Sequence, residues 1–284
     1  MQKKYKAKKS LGQNFLKSIP ALNKIIEVGE VSKDDIVLEI GPGKGILTEK
    51  LLEKAGRVIA VEKDNELFEF LKNKFSKQIN LGTLVLVHDD ILKFKNENGD
   101  ILRNLKYKII ANIPYNITGA ILKKFLGGEN PSGVAPSAVD LRTMLRASQP
   151  ELMILMVQKE VAERIIAKDK KESVLSISVK AYGEPKMIMK VPARYFSPSP
   201  KVDSAIISIK NISREVFIKN NVNERLFWDI VHAGFAHKRK KLSSNLKKYM
   251  SKTFLNSLGN KRAEELTLTD WVNLIKALDI NKKE

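Results

Sequence analysis

Asn112-Ile113-Pro114-Tyr115 follows the apolar run Lys108-Ile109-Ile110-Ala111, which puts a carboxamide, a rigid ring and an aromatic face together at the end of an expected buried strand. That set suits the holding of a flat, amino-bearing ring. The Asn112 carboxamide oxygen and the Ile113 carbonyl can each accept a hydrogen bond from an exocyclic NH2, Pro114 restricts the backbone, and Tyr115 offers a stacking face. Such a grip would present the amino nitrogen of an adenine or a cytosine to an electrophile. Asn and Pro are also common in turns, so the tetrapeptide alone equally describes a strand that ends in one.

A second chemical feature comes earlier, at Glu39-Ile40-Gly41-Pro42-Gly43-Lys44-Gly45, between an apolar run and a helix-like segment. Glycines at a strand-to-helix turn let a ligand approach the backbone, here at Gly41 and Gly43. The spacing is neither the dinucleotide fingerprint, whose third glycine comes one place later, nor a P-loop, which needs a G-K-[ST] end. Glu62 ends the next apolar run and can accept hydrogen bonds from both hydroxyls of a ribose; an exposed strand-end carboxylate is the plainer reading. Asp90, in His88-Asp89-Asp90 after the third run, can accept an adenine amino group. Together these three strand ends have the order of an S-adenosyl-L-methionine pocket. A sulfonium methyl is already electrophilic, so transfer to nitrogen needs an aligned lone pair more than a nucleophilic side chain or a metal. Two acceptors, Asn112 and the Ile113 carbonyl, would favour pyramidalisation of the amino nitrogen and steady its growing positive charge.

The elements that must position these residues follow from the apolar pattern. Runs at Ile36–Ile40, Val58–Val61, Leu84–Val87, Ile109–Ala111 and Leu152–Val157 alternate with helical stretches such as Leu47–Lys54 and Glu66–Phe75. This predicts an α/β, doubly wound, mostly parallel sheet. Ser204–Ile209 follows the proline-rich Tyr195–Pro200 and is expected as the last sheet strand. Val174–Tyr182 stays open: its V-L-S-I-S-V alternation fits a strand, and Ser173 fits the cap of a helix. Residues 214 to 280 have no proline and show helical spacing, which predicts a small all-helical C-terminal domain. The expected division is 1–210 and 211–284. Residues 127–150 form a long insertion-like connection with one short helix at Asp140–Arg146.

The chain has 284 residues, a length that suggests about two domains, and carries 51 Lys and Arg against 32 Asp and Glu for a formal charge of +19. Such an excess points to a polyanionic partner, nucleic acid first of all. Without cysteine there is no disulfide, thiolate metal site or cysteine nucleophile, and zinc chemistry is not expected. No apolar run approaches a membrane span and no secretory leader is visible, so a cytoplasmic protein is expected, without membrane or metal.

Five motifs in collinear order carry a family resemblance: Lys9-Ser10-Leu11-Gly12-Gln13-Asn14-Phe15-Leu16, Leu38–Gly43, Asn112–Ile117, Gln158–Ala162 and Phe196–Ala205. Together they resemble the small-subunit (16S-type) rRNA adenine N6,N6-dimethyltransferases of the KsgA type. The resemblance implies a Rossmann-like methyltransferase sheet with a helical C-terminal domain that assists RNA binding. It also implies S-adenosyl-L-methionine as donor, and dimethylation of two adjacent adenosines in a hairpin near the 3′ end of small-subunit rRNA, in the small ribosomal subunit or its precursor. By position it places donor contacts on Gln13, Asn14, Leu16, Gly41, Glu62, Asp90 and Asn112, with Tyr115 and Phe196 on opposite faces of the target adenine. Val174–Tyr182 becomes a helix under it, and a monomer is expected. Residues 127–150 are longer than the corresponding connection in that family, and no motif falls on them.

Two alternatives share the same fold: a noncatalytic RNA-binding or ribosome assembly factor, and an Erm-type large-subunit rRNA methyltransferase. The intact tetrapeptide argues against the first. Leu11–Asn14, Lys201–Ser204 and Phe235–Leu242 resemble the small-subunit branch more closely than the second. Lys238, Arg239, Lys240 and Lys241, in a basic run expected to open a helix, are candidate phosphate contacts, as are Lys3, Lys4, Lys6, Lys8 and Lys9; a solvated face is the usual fate of such runs, but the overall +19 charge favours phosphate contact. His88, His232 and His237 lack ligand spacing, and Trp228 and Trp271 are expected in the small core.

Overall fold

Continuous apolar strands need cover on both faces, and the computed structural model supplies it with helices between successive strands. It describes residues 7–8, 11–94, 102, 105–127 and 149–280. In chain order these are β1 (Phe15–Leu16), α1 (Ile19–Val28), β2 (Ile36–Ile40), α2 (Ile46–Lys54), β3 (Arg57–Glu62), α3 (Asn65–Lys74), α4 (Ser76–Asn80), β4 (Leu84–His88), β5 (Lys108–Asn112), α5 (Thr118–Leu122) and β6 (Leu152–Gln158). After α6 (Lys159–Ile165) and α7 (Val174–Lys180) come β7 (Glu184–Val191), β8 (Phe196–Ser197) and β9 (Ser204–Lys210).

Seven strands form one sheet in the order β4-β3-β2-β5-β6-β9-β7, and β1 pairs with β8 in a separate two-stranded ribbon. The β4, β3, β2, β5 and β6 ladders are parallel, while β9 runs antiparallel to β6. Val37, Leu38, Val58, Ile59, Ile109 and Ile110 are fully buried, as a sheet covered on both faces requires. The edge strand β7 was not legible in the pattern: Pro185, Lys186 and Lys190 interrupt it, and most of its residues are partly exposed.

Local chemistry sets the helix starts. Ser18 caps α1 by accepting from Ala21 N–H, and Asp64 caps α3 by accepting from Glu66 and Leu67 N–H. At Gly45, the residue before α2, φ is +75°, and an added Cβ would lie 2.6 Å from the Phe75 ring. The glycine that departs from the dinucleotide spacing thus serves packing between the turn and α3. Ser173 and Ser176 form a reciprocal capping box that decides Val174–Lys180 as helix.

The described chain divides into two compact units: Met1–Ala162 with Lys186–Ile212, and Glu163–Pro185 with Ser213–Glu284. The second therefore takes in α7, which the sequence division at 210 had left with the sheet. Within that unit Tyr182 is the hub. Its hydroxyl donates to Glu224 and accepts from Trp228 Nε1 at 3.0 Å, while its carbonyl accepts from Ser213 N–H at 2.8 Å. Trp271 is fully buried beside Gly234, and Trp228 stacks on Tyr182. The basic run leads into a short helix, Leu242–Asn245, with Lys241 as its N-cap, but is not itself helical. It is an exposed turn after α9 (Glu224–Phe235; α8 is Glu215–Asn220), and Asn245 holds it by donating to the carbonyls of Gly234 and His237. Five consecutive polar residues offer nothing for a helix face to bury. The expected helix at Asp140–Arg146 and the lysines at 3, 4, 6 and 9 lie outside the described residues.

Gly45→Ala combines a left-handed backbone with a steric clash, so it should cost about 2 kcal/mol or more of stability. Urea denaturation checks this; an unchanged midpoint would mean that Phe75 yields freely.

Candidate functional site

Consecutive strands leave β2 in opposite directions, to β3 on one side and β5 on the other, and such a switch point opens a crevice at the carboxyl edge of the sheet. A cavity lies there, lined among others by Asn14, Gly41, Glu62, Asp90, Asn112 and Pro114. The sequence-expected residues Gln13, Leu16, Gly43, Ile113 and Tyr115 also border it. A Cβ at Gly41, where φ is +64°, would meet only Pro114 Cδ at 4.0 Å and would stand in cavity space. The glycine turn is therefore open to a ligand.

Glu62 is 5% exposed and holds the turn in place. Its Oε2 accepts from Gly43 N–H at 3.1 Å and its Oε1 from Asp64 N–H at 2.8 Å. Burial raises its pKa, and those two N–H groups act against the rise. Each oxygen keeps a lone pair for a hydroxyl donor. At Asp90, Oδ1 accepts from Leu92 N–H at 3.0 Å and Oδ2 pairs with Lys63 Nζ at 2.8 Å. Burial pushes the Asp90 carboxyl up, but Lys63 and the Leu92 N–H outweigh it, so it titrates below the usual range.

At the end of β5 the Asn112 amide nitrogen donates to the Asn14 carbonyl at 3.2 Å, which leaves the carboxamide oxygen as the free acceptor end of the group. Pro114 sits at φ −58° and leads into a 3-10 turn at Tyr115–Ile117. The Tyr115 hydroxyl lies 2.6 Å from Ser204 Oγ, a fully buried side chain at the start of β9. Burial raises the pKa of that phenol.

Phe196 is placed differently from its expected role. It is 2% exposed, opposite Leu16 in the β1–β8 ribbon, and belongs to the same core cluster as Leu16 and Met156 rather than bordering the cavity. Three residues escaped the sequence reading. Ser204 and Asp64 gave no signal of their own, because their partners are distant in sequence. Glu39 did give one, as a carboxylate inside an otherwise apolar strand. It is 1% exposed, and its Oε2 borders the cavity region without a hydrogen-bond partner among the described residues. Burial pushes its pKa up to about 8, with the Glu62 carboxylate acting in the same direction.

An open glycine turn, a buried carboxylate for hydroxyls, a second for an amino group and an orphaned acceptor fit a cationic nucleoside such as S-adenosyl-L-methionine. The family model described as ribosomal RNA adenine dimethylase matches residues 4–280. The chain belongs to the ribosomal RNA adenine dimethylase family. Ribosomal RNA small subunit methyltransferase A of Dehalococcoides mccartyi is 40% identical over 279 residues, covering 95% of this chain and 87% of the relative. A dimethyladenosine transferase structure from Plasmodium falciparum superposes with a TM-score of 0.71 at 27% identity, covering 95% and 98% of the two chains. The 23S rRNA methyltransferase ErmE superposes at 0.68 with 23% identity over 94% and 100%, a likeness of fold.

This family member is thus a methyltransferase of Rossmann-like fold acting on rRNA, and its donor is S-adenosyl-L-methionine, which supplies an electrophilic sulfonium methyl. Among the described residues no group of three or more metal-ligating side chains is placed to hold an ion, and no helix is long and apolar enough to cross a membrane.

Glu39 carries a pH signature. Its folded pKa of about 8 exceeds the ordinary 4.5, so the folded state holds the proton more tightly and loses stability as pH rises through that window. Without donor, Glu39→Gln should therefore gain stability over wild type by about 1 kcal/mol per pH unit between those values. Urea denaturation at pH 5, 6.5 and 8 measures the gap; a constant gap would show a normally ionised Glu39.

Proposed function

We propose that this methyltransferase dimethylates the N6 amino groups of two adjacent adenosines in a hairpin near the 3′ end of small-subunit (16S) rRNA. It does so as a monomer in the cytoplasm, on the small ribosomal subunit or its precursor, in ribosome biogenesis. The observation that carries the reading is the orientation of Asn112, whose nitrogen is engaged by the Asn14 carbonyl so that its oxygen is left for an amino group. The names of the curated relatives support the small-subunit target.

In this reading Asn112 Oδ1 and the Ile113 carbonyl accept the two amino protons of the target adenine and draw its nitrogen lone pair out of conjugation. They also steady the positive charge that develops on that nitrogen. Tyr115 stacks on the base, its ring held by the hydroxyl contact to Ser204. Glu62 accepts the ribose hydroxyls of the donor, Asp90 its adenine amino group, and Gly41 gives its amino-acid portion access to the backbone, beside Gly43, whose N–H is held by Glu62. The sheet unit, 1–162 with 186–212, does the chemistry. The helical unit assists by gripping phosphates through Lys238, Arg239, Lys240 and Lys241, all exposed on their turn.

Mapping methylated adenosines in rRNA from cells with and without the gene tests the target. Loss of a pair of N6,N6-dimethyladenosines near the small-subunit 3′ end is expected, and loss from the large subunit instead would overturn it. Asn112→Ala should lower turnover about a hundredfold with RNA affinity little changed. Tritiated methyl transfer at near wild-type rate would remove Asn112 from its role. Replacing Lys238, Arg239, Lys240 and Lys241 together with Gln should reduce the salt slope of RNA binding by about 0.7 to 0.9 for each phosphate left without its cation. Titration of small ribosomal subunits at several salt concentrations reads that slope, and equal slopes would place the grip elsewhere.

A further inference from the structure

Asp64 is 2% exposed and stands two residues beyond Glu62, the last residue of β3, yet its carboxylate does more than cap α3. Lys8 Nζ lies 3.1 Å from Oδ1 and 3.0 Å from Oδ2, and Gln13 Nε2 donates to Oδ2 at 3.0 Å. The other end of the Gln13 carboxamide accepts from Lys8 N–H at 2.7 Å. The segment so fastened crosses the cavity. Phe15 lies against the glycine turn, where a Cβ on Gly43 would come within 3.0 Å of its ring, and the Asn14 carbonyl is the group that orients Asn112.

We propose that Asp64 is a positioning residue, which clamps the Gln13–Leu16 strap across the donor cavity through Gln13 and Lys8. Gln13 then serves as the strap's anchor rather than as a direct ligand of the donor. The proposal rests on the reading of this cavity as the donor site. Both carboxamide ends of Gln13 face protein partners, and the carboxylate that takes Gln13 and Lys8 together also caps the helix that follows the strand end at Glu62, while Glu66 on that helix is a second partner of Lys8. Clamp and cap therefore share one side chain, two residues from Glu62, which does line the cavity.

Asp64→Asn separates these duties, because asparagine caps a helix about as well as aspartate but sets its own NH2 against that of Gln13. S-adenosyl-L-methionine affinity, measured by calorimetry on the full chain, should fall about tenfold or more while the urea midpoint holds. Gln13→Glu alone places a second carboxylate beside Asp64 and should also weaken the donor. The double variant Asp64→Asn, Gln13→Glu restores a donor–acceptor pair and should recover most of the affinity. Asp64→Asn binding as tightly as wild type would overturn the clamp, and so would a double variant no better than the weaker single one. Gln13→Ala, which leaves the helix cap untouched, gives a second reading should Asp64→Asn fold poorly: donor affinity as in wild type would again overturn the proposal. Glu62→Ala is the control, since a wild-type affinity there would unseat the donor pocket itself, whereas a failure confined to the Asp64 and Gln13 variants unseats the clamp alone.

Discussion

The cavity at the carboxyl edge of the sheet hangs on two buried carboxylates two positions apart at the exit of β3. Glu62 binds the N–H of Gly43 and so ties the glycine turn of β2 to its neighbour strand; Asp64 binds the N–H groups that start α3 and the side chains of Lys8 and Gln13. Through Glu62 the turn is held open, and through Asp64 the chain ahead of β1 is held near it. The Asp64 N–H closes the pair by donating to Glu62. Acceptors that carry charge make the stronger hydrogen bonds, which is why two side chains can organise four segments.

Burying carboxylates is costly unless donors surround them. Glu62 and Asp64 have theirs, whereas Glu39 retains an oxygen without one, and all three border or adjoin the same cavity. The other buried polar side chains of the described sheet strands, Ser204 and Ser208 of β9, are uncharged, so the cost of burying charge is concentrated at one edge. That is the place where a ligand bearing hydroxyl, amino and cationic groups would supply what is lacking. Local sacrifice of stability at a functional edge is the usual reason for a carboxylate inside an apolar strand.

The same physics explains which elements were readable in advance. β2, β3, β5 and β6 are buried on both faces, so they appear as apolar runs, interrupted in β2 by Glu39 alone. β7 has one exposed side, a proline at 185 and lysines at 186 and 190, and carries no such signature. Val174–Lys180 satisfies a strand alternation and a helix cap equally well, and only the reciprocal Ser173–Ser176 bonding separates them. The basic run was legible as charge but not as conformation, because its turn is held by Asn245 from outside it.

The sequence by itself determined which residues meet at the strand ends, since the Asn112 tetrapeptide, the Gly41–Gly43 turn, Glu62 and Asp90 stand where strand and turn geometry already place them, on one edge. Only the tertiary structure decided where side chains on loops and ribbons would point. Gln13 turns to Asp64, 51 positions on, the Tyr115 hydroxyl meets Ser204 at a separation of 89, and Phe196 is drawn into the core opposite Leu16. Pairings of that range leave no trace in local periodicity, because which of several polar or apolar neighbours a side chain meets is set by the packing of the whole sheet edge and not by the residues beside it in the chain.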